Sequence, residues 1–383
     1  MEFEFLTPLN KNFAAQVKEF SAQQLGSKVV FHTKDQFPDI EKVDIAILGV
    51  LENRGDRVAF SNIDLEPLRK QLYSMFPGNW HASIADLGDI VAGNSLEDTY
   101  FALRKVAALL IKNKVIPIVI GGSQDLTYAM YRAYDDLEQM VNLVSIDSKF
   151  DFGKEEESAL VSSYLTKIII DEPNNLFNYC NIGYQTYYNA QEEIDLIEKL
   201  FFDAYRLGEI SNNIALAEPV FRDADIVSLD LNAVKSSDSG NFVSFEPNGF
   251  NGKEICSLSR YAGISDKVSM FGLFNHSSSI QESTLMAQIV WYFIEGYHYR
   301  SNEYPFGSRE SYIKFIVPID EETLVFYKSN KTDRWWIEIP FVTNGGNKLK
   351  RNTLLPCSYE EYLGACNQEL PERWWKAQRK NII

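Results

Sequence analysis

Apolar runs of strand length recur along this chain and alternate with segments of helical period. Val43–Val50 (Val-Asp-Ile-Ala-Ile-Leu-Gly-Val) is the first such run. Ser95-Leu96-Glu97-Asp98 then resembles a capping box, with Ser95 as N-cap and Asp98 at the third helical position. The helix it opens repeats apolar residues at Leu103, Val106, Ala107, Leu110 and Ile111, a period near 3.6. Val115–Ile120 is the next strand, and Asp125–Ala133 the next helix. The reading continues with strands at Leu143–Ile146, Lys167–Ile170, Tyr179–Ile182, Ile226–Leu231 and Val268–Phe274. Helices are expected over Ile63–Phe76, around Glu192–Phe202 and over Thr284–Tyr297. Such alternation predicts an α/β fold, three layers α/β/α around a mostly parallel sheet.

In a parallel sheet of this kind, ligands bind where the strands end at their carboxyl termini. Three of the predicted strand ends carry carboxylates and amides. The first is Val119-Ile120-Gly121-Gly122-Ser123-Gln124-Asp125. The second is Ser145-Ile146-Asp147-Ser148-Lys149-Phe150-Asp151. The third is Ile226-Val227-Ser228-Leu229-Asp230-Leu231-Asn232. Period-2 spacing sends alternate side chains to one face, so Asp147, Lys149 and Asp151 are expected to point inward together. Gly121-Gly122 reads as the turn that brings Gln124 to the site. Ile182-Gly183-Tyr184-Gln185 and Arg206-Leu207-Gly208 read first as structure, with a pocket wall as the alternative.

Composition narrows the function classes. The chain has 383 residues, enough for a large core, and a net charge of −16 that disfavours nucleic acid and anionic membrane partners. Its apolar runs fall short of the roughly 18–20 residues of a membrane span. The start, Met1-Glu2-Phe3-Glu4-Phe5-Leu6, has neither a basic stretch nor a long apolar one, so a cytoplasmic protein without a secretory signal is expected. Cys180, Cys256, Cys357 and Cys366 lack metal-knuckle spacing. Neither His32, His81, His276 nor His298 is spaced for metal binding. His276, near the site, reads as a packing residue, with acid–base work as the alternative. Residues 1–317 are expected to form the α/β domain. Residues 318–383, with Arg334-Trp335-Trp336, Lys348-Leu349-Lys350-Arg351 and Arg373-Trp374-Trp375-Lys376, are expected to form an extension packed on it or on a subunit interface. Basic residues on an acidic chain suit self-association, so a homo-oligomer is expected.

The three strand-end motifs, in this order, resemble the arginase/agmatinase/formimidoylglutamase superfamily, the ureohydrolases, over roughly residues 40–300. That family reads Gly-Gly-Asp-His, Asp-Ala-His-x-Asp and Ser-x-Asp-x-Asp at these places. The resemblance implies hydrolysis of a guanidinium or amidine C–N bond by a hydroxide bridging two manganese ions. It also implies that Asp147, Asp151 and Asp230 are retained ligands. Gln124 and Lys149 stand where the family has histidines, Asn232 where it has an aspartate, and Leu273 of Leu273-Phe274-Asn275-His276 where it has a glutamate.

A protonated lysine has no lone pair for a metal. The reading therefore places the Lys149 ammonium among Asp147, Asp151 and Asp230 as a replacement for metal charge, giving a metal-free, non-catalytic binding or scaffold protein. The opposite reading turns Lys149 to solvent. One functional alternative is an active formimidoylglutamase-like hydrolase with an altered or single-metal site, in which Gln124, Asp147, Asp151, Asp230 and Asn232 offer oxygen donors to Mn, Mg or Ca. Another is a sensor of a small cationic or amidine ligand; a protein partner suits the scaffold reading. An inward Lys149 predicts that Lys149→Met destabilises the fold by about 3–5 kcal/mol.

Overall fold

Alternate residues of the central strands feed two different cores, and this fixes the layered architecture. In strand β3 (Ile45–Leu51), Ile45 and Ile47 enter one core while Ala46, Leu48 and Val50 enter the other. A strand covered on both faces has no solvent side, which explains the unbroken apolar run in the sequence. The computed structural model describes residues 3–17, 19–56, 63–137, 139–153, 162–242, 244–277, 279–303, 305, 309–319, 322–339 and 354–382.

The remaining strands of the main sheet are β1 (Leu6–Thr7), β2 (Val30–Phe31), β4 (Ile84–Val91), β5 (Ile116–Gly121), β6 (Val141–Ile146), β7 (Leu176–Tyr184), β8 (Asp203–Arg206), β9 (Ile226–Asp230) and β10 (Met270–Phe274). Among the described residues their order is β1-β4-β3-β5-β10-β9-β6-β7-β8, with β2 on β4. All pairings are parallel except β1 with β4. One face is covered by the helices Glu66–Ser74, Ala217–Asp223, Gly252–Ile264 and Ile280–His298. The other is covered by Leu96–Lys112, Leu126–Arg132 and Tyr164–Ile170. The three-layer α/β/α arrangement is therefore present. Among the described residues no helix is long and apolar enough to cross a membrane.

Local signals place several elements directly. Ser95 caps the helix Leu96–Lys112, accepting from the Asp98 amide, and the Asp98 carboxylate accepts from the Ser95 amide in return. The expected strand at Lys167–Ile170 is corrected: those residues end the helix Tyr164–Ile170, whose buried Tyr164, Leu165 and Ile168 follow helical spacing. The isoleucine run that suggested a strand is the end of that amphipathic turn pattern.

A second, antiparallel sheet of four strands follows: β11 (Tyr312–Ile319), β12 (Glu322–Ser329), β13 (Trp335–Glu338) and β14 (Leu354–Cys357). It opens at Tyr312, ahead of residue 318. The helices Tyr359–Cys366 and Glu372–Ile382 complete this part. Arg334-Trp335-Trp336 and Arg373-Trp374-Trp375-Lys376 belong to it, whereas Lys348-Leu349-Lys350-Arg351 lies outside the described residues. Trp335, Trp336 and Trp374 are buried.

One arginine fastens this sheet to the α/β layers. Arg222 is 5% exposed, donates to the carbonyls of Trp335 at 3.0 Å and Cys357 at 2.8 Å, and pairs with Glu218 at 2.9 Å. Its guanidinium also lies 4.8 Å from the Trp336 ring centre. Arg222→Ala leaves two buried carbonyls without their donor. Loss of about 2–4 kcal/mol is expected in chemical denaturation. Faster amide exchange in peptides spanning Trp335 and Cys357 should accompany it.

Candidate functional site

Strands β5, β10, β9 and β6 are neighbours in the sheet, and their carboxyl ends bring the sequence-predicted residues to one edge. Gln124 follows β5, Asn275 and His276 follow β10, Asp230 ends β9, and Asp147 follows β6. The turn after β5 passes so close to β3 that a Cβ on Gly122 would lie 2.1 Å from the Glu52 carbonyl oxygen. Glycine is required there by contact rather than by dihedral angle.

Asp147, Asp151 and Asp230 are all buried and converge. Asp147 and Asp151 lie close enough to act on each other's titration, and the Asp147 carboxylate accepts from the Lys149 amide at 2.9 Å. Asp230 accepts from the Asn232 amide at 2.7 Å and from the Asn275 side chain. Asn232 thus reaches the site through its backbone. Burial is the main cause that raises all three carboxyls. Neighbouring carboxylates add to it, Asp151 acting on Asp147, Asp230 on Asp151 and Asp147 on Asp230. The Asp151 carboxyl is pushed from 3.8 up to about 7.

Lys149 does not join them, which corrects the inward ammonium. Its side chain is exposed and its Nζ sits 5.5 Å from the centre of the Tyr188 ring. Among the described residues it forms no ion pair with the three aspartates, although its charge still lowers each of them at longer range. The period-2 argument fails because β6 stops at Ile146. The loop beyond it is clamped by β7 and the segment after it. Gln185 donates to the Ser148 carbonyl at 3.0 Å, Asn181 to the Lys149 carbonyl at 2.8 Å, and the Phe150 amide donates to Asn189 at 2.8 Å. Asp151 then takes a left-handed conformation, φ 57, which Asp tolerates better than most residues. The two flanking aspartates turn in and the lysine between them turns out.

Gln124 lies beneath the carboxylates. Its side-chain NH2 donates to the hydroxyls of Ser145 and Ser228, each at 3.3 Å, and Ser228 bonds Thr127 at 2.7 Å. Ser145 and Ser228 stand two residues before Asp147 and Asp230. The twice-used Ser-x-Asp spacing was the sequence signal for this floor, and it was missed. Asn275 was also missed. It has φ 60 and accepts from the Gln124 amide at 3.2 Å, so it ties β10 to β5 while bonding Asp230. His276 is buried and bonds the Gly121 backbone. Burial holds its ring neutral, with its pKa lowered to about 4. Leu273 is fully buried in the apolar core.

The donors at this edge do not make up a two-metal set. Three aspartates are present, the amide of Gln124 is committed on its nitrogen, Leu273 is apolar, and the nearest imidazole is bonded to Gly121. Among the described residues no group of three or more His, Cys, Asp or Glu side chains is arranged to hold a metal ion. Two buried acceptors, Asp147 Oδ2 and Gln124 Oε1, have no hydrogen-bond partner among the described residues.

A cleft of about 600 Å3 opens past the end of β7, and none of the three aspartates lines it. Tyr184, Gln185, Arg206, Leu207 and Gly208 line it, so the two segments read chiefly as structure do wall a pocket. Lys235 and Asn248 complete its polar side. Gln185 is buried, donates to the Asn248 carbonyl at 3.1 Å and accepts from the Asn248 side chain at 3.0 Å. Gly183, at φ 106, carries the chain from β7 into this wall.

Two outcomes follow from this geometry. Lys149→Met should change stability by less than about 1 kcal/mol, the scale of an exposed cation–π contact, when unfolding is followed in denaturant. Asp151 contributes in the opposite sense to a salt-bridged acid. Its raised carboxyl keeps a proton that the unfolded chain releases near 3.8, so stability is lost as pH rises from about 4 to 7. Asp151→Asn, which tolerates the same backbone, should therefore stabilise chelator-treated protein by about 1–3 kcal/mol at pH 8. The gain should vanish near pH 4.

Known proteins carry the same frame. The sequence profile of the Arginase family matches residues 56–294. Formimidoylglutamase of Geobacillus thermodenitrificans is 34% identical over 137 residues, a stretch covering 34% of this chain and 40% of that protein. Formimidoylglutamase of Staphylococcus aureus (strain MSSA476) is 22% identical over 284 residues, covering 68% of this chain and 90% of that one. The crystal structure of Trypanosoma cruzi formiminoglutamase with Mn2+ superposes with a TM-score of 0.62 at 17% identity, over 69% of this chain and 97% of that chain. The family match ends inside the helix Ile280–His298, before the second sheet begins. With the profile matched over more than half its length and the strand-end site in the same frame, the chain belongs to the arginase family and is formimidoylglutamase-like.

Proposed function

We propose that this chain is a metal-free, non-catalytic member of the arginase family that binds a small cationic or amidine ligand. The observation that carries the reading is a buried group of carboxyls without a cationic partner, which a bound cation would favour in their ionised form. Asp147, Asp151 and Asp230 are buried, and among the described residues no lysine, arginine or histidine stands within ion-pair distance of them. A ligand cation supplies what they lack, and its donors meet the unpartnered Asp147 Oδ2. The cleft past β7 supports a ligand with an anionic end as well, because Arg206 and Lys235 line it against one carboxylate, Glu254. A molecule shaped like formimidoylglutamate, with an amidine at one end and carboxylates at the other, matches that polarity. The relatives' names point the same way.

The change of donors argues against hydrolysis. Without imidazoles at Gln124 and Lys149 and without a carboxylate at Leu273, the chain has no means on these residues of making a hydroxide nucleophile at neutral pH. One observation favours the second reading, an amidine C–N hydrolase with a single hard cation. Gln124 Oε1 and Asp147 Oδ2 are both oxygen acceptors left open in the buried site.

Thermal unfolding with formimidoylglutamate, agmatine and arginine distinguishes these readings. A ligand at 100 times its Kd should stabilise the protein by about 2.7 kcal/mol. Asp230→Ala should abolish the response, with no product formed and no stoichiometric metal found by elemental mass spectrometry. Turnover that Asp230→Ala removes, in protein carrying one Mn, Mg or Ca, would establish the hydrolase instead. No shift with any of the three compounds would count against the ligand.

A further inference from the structure

The C-terminal part of the chain reaches the candidate site through a cavity that the strand-end motifs line with Phe150. Behind the Asp147–Asp151 loop lies a space of about 360 Å3, within the size range of small-molecule sites. Four aromatic rings wall it. Phe150 and Tyr184 come from the site side, with ring centres 4.9 Å apart. Trp375 comes from the helix Glu372–Ile382 and meets Phe201 edge-on at 5.6 Å. The cavity is thus closed by a helix beyond the part of the chain matched to the family.

Its charged residues are Glu198, Glu372 and Lys376, two carboxylates against one ammonium. Lys376 is already held by Glu372 at 2.7 Å and Asp203 at 3.5 Å. Glu198 is exposed at the rim, and among the described residues it has no ion-pair partner. A flat ring fits the aromatic walls; Arg206 already stands 5.9 Å from the Tyr184 ring centre and Arg379 5.4 Å from that of Trp375, so the positive charge of a ligand belongs at the unpaired carboxylate of Glu198. An aromatic acid would meet two carboxylates.

We propose that this cavity binds a small aromatic amine, its ring among Phe150, Tyr184 and Trp375 and its ammonium at Glu198. The site is separate from the aspartate edge but touches it at one residue and the neighbouring cleft at another. Phe150 directly precedes Asp151. Tyr184 also lines the Arg206–Lys235 cleft, and its hydroxyl accepts from Arg206 Nε at 3.2 Å. An occupant holds both rings in place, so amine binding and the conformation of the Asp147–Asp151 loop are linked.

Calorimetric titration of the full chain with phenethylamine, tryptamine and phenylacetate tests this. At least one amine should bind saturably, and phenylacetate should not. Trp375→Ala and Ala204→Phe, the latter filling the cavity from its wall, should each weaken the amine by about tenfold or more. Glu198→Gln, at an exposed position that leaves the core untouched, should weaken it as well. Asp230→Asn should leave amine binding intact. Amide exchange across residues 147–151 should slow when the amine is bound. The proposal is overturned if neither amine binds, if phenylacetate binds equally, or if Trp375→Ala, Ala204→Phe and Glu198→Gln all bind as the unchanged chain does. Loss of binding in Asp230→Asn would move the amine to the aspartate edge and overturn it too.

Discussion

Parallel pairing of β5, β10, β9 and β6 is the constraint on which the rest of the structure depends. Four neighbouring strands running in one direction deliver four carboxyl ends to one edge. Their side chains enter mostly apolar cores on both faces, so ionisable residues are confined to where each strand ends, with small hydroxyls such as Ser145 and Ser228 just before. Gln124, Asn275, Asp230 and Asp147 appear at that place and nowhere earlier. Residues separated by 151 positions, such as Gln124 and Asn275, then become hydrogen-bond partners.

The electrostatics of that edge differ from those of the rest of the molecule. Several other buried carboxylates sit against cations, whereas Asp125 and Glu282 are held by hydroxyls, amides and backbone groups. Asp86 is paired with Arg69 at 2.8 Å, Asp225 with Lys267 at 3.0 Å and Glu52 with Arg54 at 2.5 Å. At the strand ends, three aspartates neighbour one another and bond two backbone amides and the Asn275 side chain instead. Buried groups of like charge without a counter-ion cost stability, and such arrangements cluster where proteins bind or react. What sets this edge apart is that three such carboxyls lie together.

The second sheet enlarges what the α/β layers can do. Arg222 spends its guanidinium on two carbonyls of that sheet, which makes the attachment a matter of backbone geometry as well as side-chain identity. Through that attachment the helix Glu372–Ile382 lies over the back of the site loop. Trp375 and Phe150, distant in sequence, wall the same cavity.

Much of the frame was legible because it is written in short periods. The unbroken apolar run of β3, the Ser95–Asp98 capping box and the change from apolar to acidic at Asp147 and Asp230 are local signals, and each is realised as local physics requires. The helix Tyr164–Ile170 was misread because a short apolar run fits strand and helix equally until its neighbours choose. The direction of Lys149 was beyond any local rule. It follows from β6 ending one residue before Asp147 and from the grip of Asn181, Gln185 and Asn189 on the loop, contacts about 30–40 positions away. By itself the sequence determined the strands, their caps and which of their ends carry acids, since those depend on residues a few positions apart. Only the tertiary structure decided which side chains face the aspartates, which cavity the C-terminal helix closes and where Arg222 binds, because those depend on backbone groups that meet only after the sheet has formed.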